Sequence, residues 1–169
     1  RTAGYEVYPA MTMAGSRVEQ VPADQFNHCV GAWKKPDGSW EMLDPTWIPF
    51  ARENWSLSEG EQHYVIGTPW GEELAAIRTY APEENRLTLT VRGEIDALGA
   101  LRGRVELRPA GEADTRLRRT IGQTPRDRVE ADLRAWLARL APGAQLVSWR
   151  AGDPVDFAKA MWLDVEMSV

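Results

Sequence analysis

The stretch Phe26-Asn27-His28-Cys29-Val30-Gly31-Ala32-Trp33, followed after Pro36-Asp37-Gly38 by Ser39-Trp40-Glu41-Met42-Leu43-Asp44-Pro45-Thr46-Trp47, reads as one β-hairpin. Polar and apolar side chains alternate from Phe26 to Val30, and Pro-Asp-Gly supplies a turn. His28 stands near the start of the first strand and Asp44 near the end of the second, so antiparallel pairing predicts both at one end of the hairpin. An imidazole serves a nucleophile as general base only if its second nitrogen is held, and a neighbouring carboxylate fixes its tautomer and stabilises its charged form. His28 and Asp44 are therefore the candidate catalytic residues. Trp47 is placed to roof the same end and is the candidate substrate contact. Plainer readings stand beside these: a satisfied core histidine, and a turn aspartate of the kind Asp-Pro pairs supply.

Three stretches, Ala3-Gly4-Tyr5-Glu6-Val7-Tyr8-Pro9-Ala10, Phe26-Asn27-His28-Cys29-Val30, and Trp40 with Leu43-Asp44-Pro45-Thr46, together resemble the transglutaminase-like proteins, whose core is papain-like. That resemblance implies a Cys, His, Asp catalytic order in which His28 and Asp44 are the second and third members. It places the cysteine at the start of a helix whose last residues and glycine cap look like Arg1-Thr2-Ala3-Gly4, hence upstream of residue 1. The resemblance covers about the first 50 residues. The stretch from Glu61 to Gly71 and the later strands are similar to the β-rich extension of some bacterial members. By the same resemblance the full-length parent is a thiol acyltransferase or peptidase acting on protein or peptide, periplasmic or extracellular, with no cofactor. The upstream part of the polypeptide is then a required partner, and the present chain alone is expected to be inactive.

Cys29 is the single cysteine. It follows His28 directly, and neighbouring strand side chains diverge, so it is expected to be a small buried residue rather than the nucleophile. Two histidines and one cysteine, without His-x-x-x-His or Cys-x-x-Cys spacing, give no expectation of a metal site. His63 is expected to fill a hydrogen-bonding role. A net charge of -5 gives little electrostatic support to nucleic-acid binding, and the Arg116, Arg118, Arg119 cluster is read as a solvated face. No apolar run approaches the roughly 20 residues of a membrane helix. With 43% apolar and 27% charged residues the chain can bury a core. Of its eight tryptophans, Trp33, Trp40, Trp47, Trp55 and Trp70 precede residue 71, which suggests packing around the hairpin or a lined cleft.

After Tyr80-Ala81-Pro82-Glu83-Glu84-Asn85, a linker candidate, the pattern changes. Leu87, Leu89, Val91, Gly93 and Ile95 alternate with polar residues, as do Leu101, Gly103, Val105 and Leu107, which predicts two half-buried strands. Thr124-Pro125 opens a helix over 125–141, with Val129, Leu133, Trp136, Leu137 and Leu140 on one stripe before Pro142-Gly143. Short strands follow at Gln145 to Trp149 and Met161 to Val169. The expected fold class is α+β: the antiparallel sheet of a papain-like transglutaminase core over 1–83, then a mostly antiparallel β-domain over 84–169 with one amphipathic helix. The second domain carries neither His nor Cys. A rival reading makes the whole chain a non-catalytic binding or structural module with a degenerate core.

Overall fold

The computed structural model describes residues 3–14, 26–47 and 60–169. The described residues are α+β, with mostly antiparallel sheets and two α-helices. It divides into two compact units, Arg1–Ala81 and Pro82–Val169.

The first unit is built on a sheet of five strands: β1 (Val7–Thr12), β2 (His28–Lys34), β3 (Trp40–Leu43), β4 (His63–Ile66) and β5 (Ala75–Ala76). Their spatial order is β3-β2-β1-β4-β5. The β2–β3 turn works as its sequence requires. Gly38 N–H donates to the Lys35 carbonyl at 2.9 Å, and Gly38 takes φ 84°, open to a residue without a Cβ. The Asp37 carboxylate accepts from the Ser39 amide and hydroxyl. β3 stops at Leu43, and Pro45–Trp47 turns as a single 3-10 turn. One face of the sheet is the core: Tyr8, Ala10, Val30, Ala32, Met42, Ile66 and Ile77 are buried there, with Trp40, Tyr64 and Tyr80 against them. Segment 63–66 pairs with β1 through Ala10 to Thr12 and belongs to this first sheet.

The second unit has four antiparallel strands, β6 (Leu87–Ile95), β7 (Leu101–Pro109), β8 (Gln145–Ala151) and β9 (Leu163–Ser168), in the order β6-β7-β9-β8. Between β7 and β8 come two helices, α1 (Glu112–Gln123) and α2 (Arg126–Leu140). The single helix expected here is thus one of a pair. α1 escapes the apolar period because its most buried side chains are Asp114, Thr115 and Arg118, with Leu117 and Ile121 only partly buried. α2 follows the expected stripe, burying Val129, Leu133 and Leu137 against Val105, Leu163, Val165 and Met167. Trp136 and Leu140 lie at the margin of that stripe, half-buried and exposed respectively. α1 starts at Gly111, whose φ is 62° and where a Cβ would meet the Glu84 carbonyl at 2.6 Å.

Arg118 is the opposite of a solvated residue. Its side chain is fully buried and its Nε donates to Asp114 at 2.6 Å, one helical turn back. The remaining guanidinium hydrogens reach the carbonyls of Pro154, Asp156 and Lys159, and Asp114 also accepts the Met161 amide. The buried pair therefore pins the chain before β9 onto α1. Both charges are compensated by hydrogen bonds from every side, the condition under which a buried ion pair is tolerated. β6 differs from expectation as well: Leu87, Leu89, Val91 and Ile95 are exposed, because the helices cover β7, β9 and β8 and leave this edge strand bare.

Arg118→Ala should destabilise the second unit by about 3 to 5 kcal/mol, since it strands the Asp114 charge and three carbonyls. Leu137→Ala should cost about 2 to 5 kcal/mol by leaving a cavity under α2. Urea denaturation midpoints check both, and an Arg118→Ala midpoint equal to wild type would contradict the clamp.

Candidate functional site

Strand pleat decides which side chains can meet. Gly31 pairs with Leu43 and Ala32 with Met42 across β2 and β3. Counting alternate residues from these pairs sends His28 and Asp44 to the same face, the one that carries the core. His28 Nε2 lies 3.0 Å from Asp44 Oδ2. The His28 side chain is 21% exposed and that of Asp44 is 0%. The two predicted catalytic residues are thus together, the imidazole reaching solvent and the carboxylate sealed beneath it.

A carboxylate only accepts hydrogen bonds, so Nε2 carries the shared proton, and in the neutral ring Nδ1 holds the lone pair. Asp44 Oδ1 accepts the Thr46 amide at 2.9 Å. Burial pushes the Asp44 carboxyl upward, but hydrogen bonds from Thr46 and His28 outweigh it and hold the group below the usual aspartate range. Asp44 therefore remains an anion beneath the ring. The Asp-Pro-Thr turn and the dyad are one arrangement, because the residue that turns the chain also supplies the second donor. Asp44 is thus at once a turn residue and the hydrogen-bond partner of the imidazole.

Thr12 lies directly across from His28 on β1, fully buried, its hydroxyl donating to the His63 carbonyl at 2.9 Å. Asn27 N–H donates to the Thr12 carbonyl, and Asn27 Oδ1 accepts the Ala14 amide, so β1 and β2 are laced together up to the dyad. Thr12 was not among the expected site residues. A buried threonine two places past Ala10 on an apolar strand face was the signal for it, being a polar group that needs a partner.

Trp47 closes the turn Pro45–Trp47, and its side chain lies outside the described residues, as does Trp55. The other early tryptophans gather away from the dyad. Tyr8 meets Trp40 and Trp70 edge-on, and Lys34 Nζ sits 5.5 Å from both indole centroids. Trp33 packs on Tyr5 across the other face. Cys29 is exposed, not buried. Strand alternation does turn it away from His28, but the face it joins is the one opposite the core, where its pairing partner Met11 is exposed too. Among the described residues no group of His, Cys, Asp and Glu is gathered in a way that holds a metal, and no helix is long and apolar enough to cross a membrane.

No protein-family model, curated protein or solved structure matches this chain.

The lowered Asp44 carboxyl has a signed consequence for stability. Its contribution is fully present above the ordinary aspartate value of about 3.9 and is lost as pH falls through the folded value below that. The stability gap between wild type and Asp44→Asn should accordingly be widest near neutrality and close on acidification, which denaturation at a series of pH values measures. Cys29 should take up one equivalent of a thiol reagent in the folded chain without denaturant; protection until unfolding would contradict its exposed position.

Proposed function

We propose that the first unit is the His-Asp portion of a papain-like, transglutaminase-like core, and that in the full-length parent this dyad serves a cysteine located upstream of Arg1. The observation that carries the reading is the 3.0 Å contact from His28 Nε2 to a buried, doubly hydrogen-bonded Asp44. The resemblance of the flanking sequence supports it. In this scheme Nδ1 of His28 takes the proton of the thiol, and the thiolate attacks an amide carbonyl of a protein or peptide. The imidazolium then protonates the departing amine, leaving a thioester. Water or a second amine, deprotonated by the same ring, resolves the thioester, giving hydrolysis or acyl transfer. Asp44 carries no proton in these steps; it orients the ring and stabilises its charged form. The site of action is periplasmic or extracellular, and no cofactor is required.

The test uses a longer polypeptide that includes the upstream segment, assayed for amide hydrolysis and for amine incorporation into a glutamine-containing peptide. His28→Ala and Asp44→Asn should each lower kcat by roughly two to four orders of magnitude, while the 169-residue chain alone should show neither activity. Activity that survives both substitutions, or a polypeptide with no upstream cysteine, would overturn the catalytic reading in favour of a binding module.

A further inference from the structure

The two edges of the second sheet are unlike. β8 carries an irregularity between Leu146 and Ser148 that pushes Val147 out of register. Such a bulge blunts an edge against further pairing. β6 has no such device. It runs nine residues against β7 without a register shift, and Leu87–Ile95 contains neither proline nor lysine.

The direction of its backbone groups follows from its inner ladder. The Arg86 carbonyl accepts the Ala110 amide and the Asp96 amide donates to Ala100. In an antiparallel pair such hydrogen-bonded positions alternate, so the even-numbered residues of β6 spend their backbone groups on β7. Leu87 pairs with Pro109, which has no N–H to give, as that parity requires. The amides and carbonyls of Leu87, Leu89, Val91, Gly93 and Ile95 therefore point to the open edge. The same residues carry the exposed apolar side chains, at 54%, 43%, 49% and 73% for Leu87, Leu89, Val91 and Ile95. They share a face with Val105, Val91's partner and the centre of the second core. Among the described residues, one row is thus left with neither its hydrogen-bonding groups nor its side chains paired.

We infer that β6 is an association edge that pairs antiparallel with β6 of a second copy of this chain, joining two four-stranded sheets into one. The strand is complementary to itself. A two-fold axis at its midpoint, Val91, sets Val91 against Val91 of the second copy, Leu89 against Gly93, and Leu87 against Ile95, all at outward-facing positions. On the other face it sets Thr88 against Glu94, Thr90 against Arg92, and Arg86 against Asp96, so the terminal charges are opposite in sign. Moving the axis one residue to Arg92 would put two guanidinium groups face to face, which is unfavourable. The apolar row would then lie beside an apolar row on the face of the sheet that bears the second core.

Sedimentation equilibrium of the 169-residue chain from low to high micromolar concentration tests this. The wild type should pass to doubled mass. Val91→Pro removes only an outward N–H, since its inner side bears no ladder bond, and proline is tolerated on such an edge. It should raise the dissociation constant by about 30-fold, from the loss of two hydrogen bonds across the axis. Val91→Lys, which opposes two ammonium groups, should abolish association, with the unfolding of both variants at low concentration unchanged. Amide exchange on the wild type gives an independent readout: Leu89 and Val91 should gain protection as concentration rises. A monomer at every concentration overturns the inference, as does a dimer indifferent to both substitutions. Slow exchange at Leu89 and Val91 in a monomer also overturns it, because the edge would then be covered within one chain.

Discussion

Asp44 has no exposed side-chain surface, and a carboxylate in that position persists as an anion only if its oxygens are met by donors. Donors are supplied by Nε2 of His28 and by Thr46. They come from different places in the chain. Thr46 is supplied locally by the turn that ends β3, whereas His28 arrives through the pairing of β2 with β3. A slip of one residue in that pairing would send His28 to the far face of the sheet and strand the carboxylate. The register of the hairpin, the burial of Asp44 and the tautomer of His28 are thus a single condition.

That condition also explains the spacing of polar groups around the dyad. β1 sits beside β2 in full register from Val7 to Thr12, and Thr12 closes its own hydrogen bond to the His63 carbonyl of β4. At the end of the sheet that holds the imidazole, β1 is thereby tied to both of its neighbours. Among the described residues, the indoles of Trp40 and Trp70 gather instead around Lys34 and Tyr8. An imidazole held in this way is fixed in both orientation and tautomer.

The second unit meets its constraints differently. Its sheet is covered on one face by α1 and α2, and the aliphatic contacts of α2 do most of the burying. α1 contributes through charge: Arg118 and Asp114 together bind three carbonyls and an amide of the chain that leads into β9. The helices cover β7, β9 and β8 and leave β6 bare, so the apolar alternation of Leu87 to Ile95 marks a face that exists without marking what covers it.

Local pattern was enough wherever the deciding physics is local. The hairpin and its turn, the apolar stripe of α2, the strands alternating around Leu89, Val105 and Val165, and the shared end of His28 and Asp44 all follow from pleat, helical period and turn chemistry, whereas Thr124, expected to cap α2, instead ends α1 and gives α2 no side-chain cap. Tertiary structure alone decided the rest. Arg118 reads as a surface charge until a loop wraps it, because nothing near it in sequence says that Pro154, Asp156 and Lys159 will supply carbonyls. Cys29 and Leu87 read as buried because their types usually are, and they are exposed because of which face the core occupies and where the helices end. The lowered carboxyl of Asp44 draws first on a local donor, Thr46, and then on His28, which only strand pairing brings to it. Periodicity specifies a face, whereas burial and charge state depend on what the folded chain places over it.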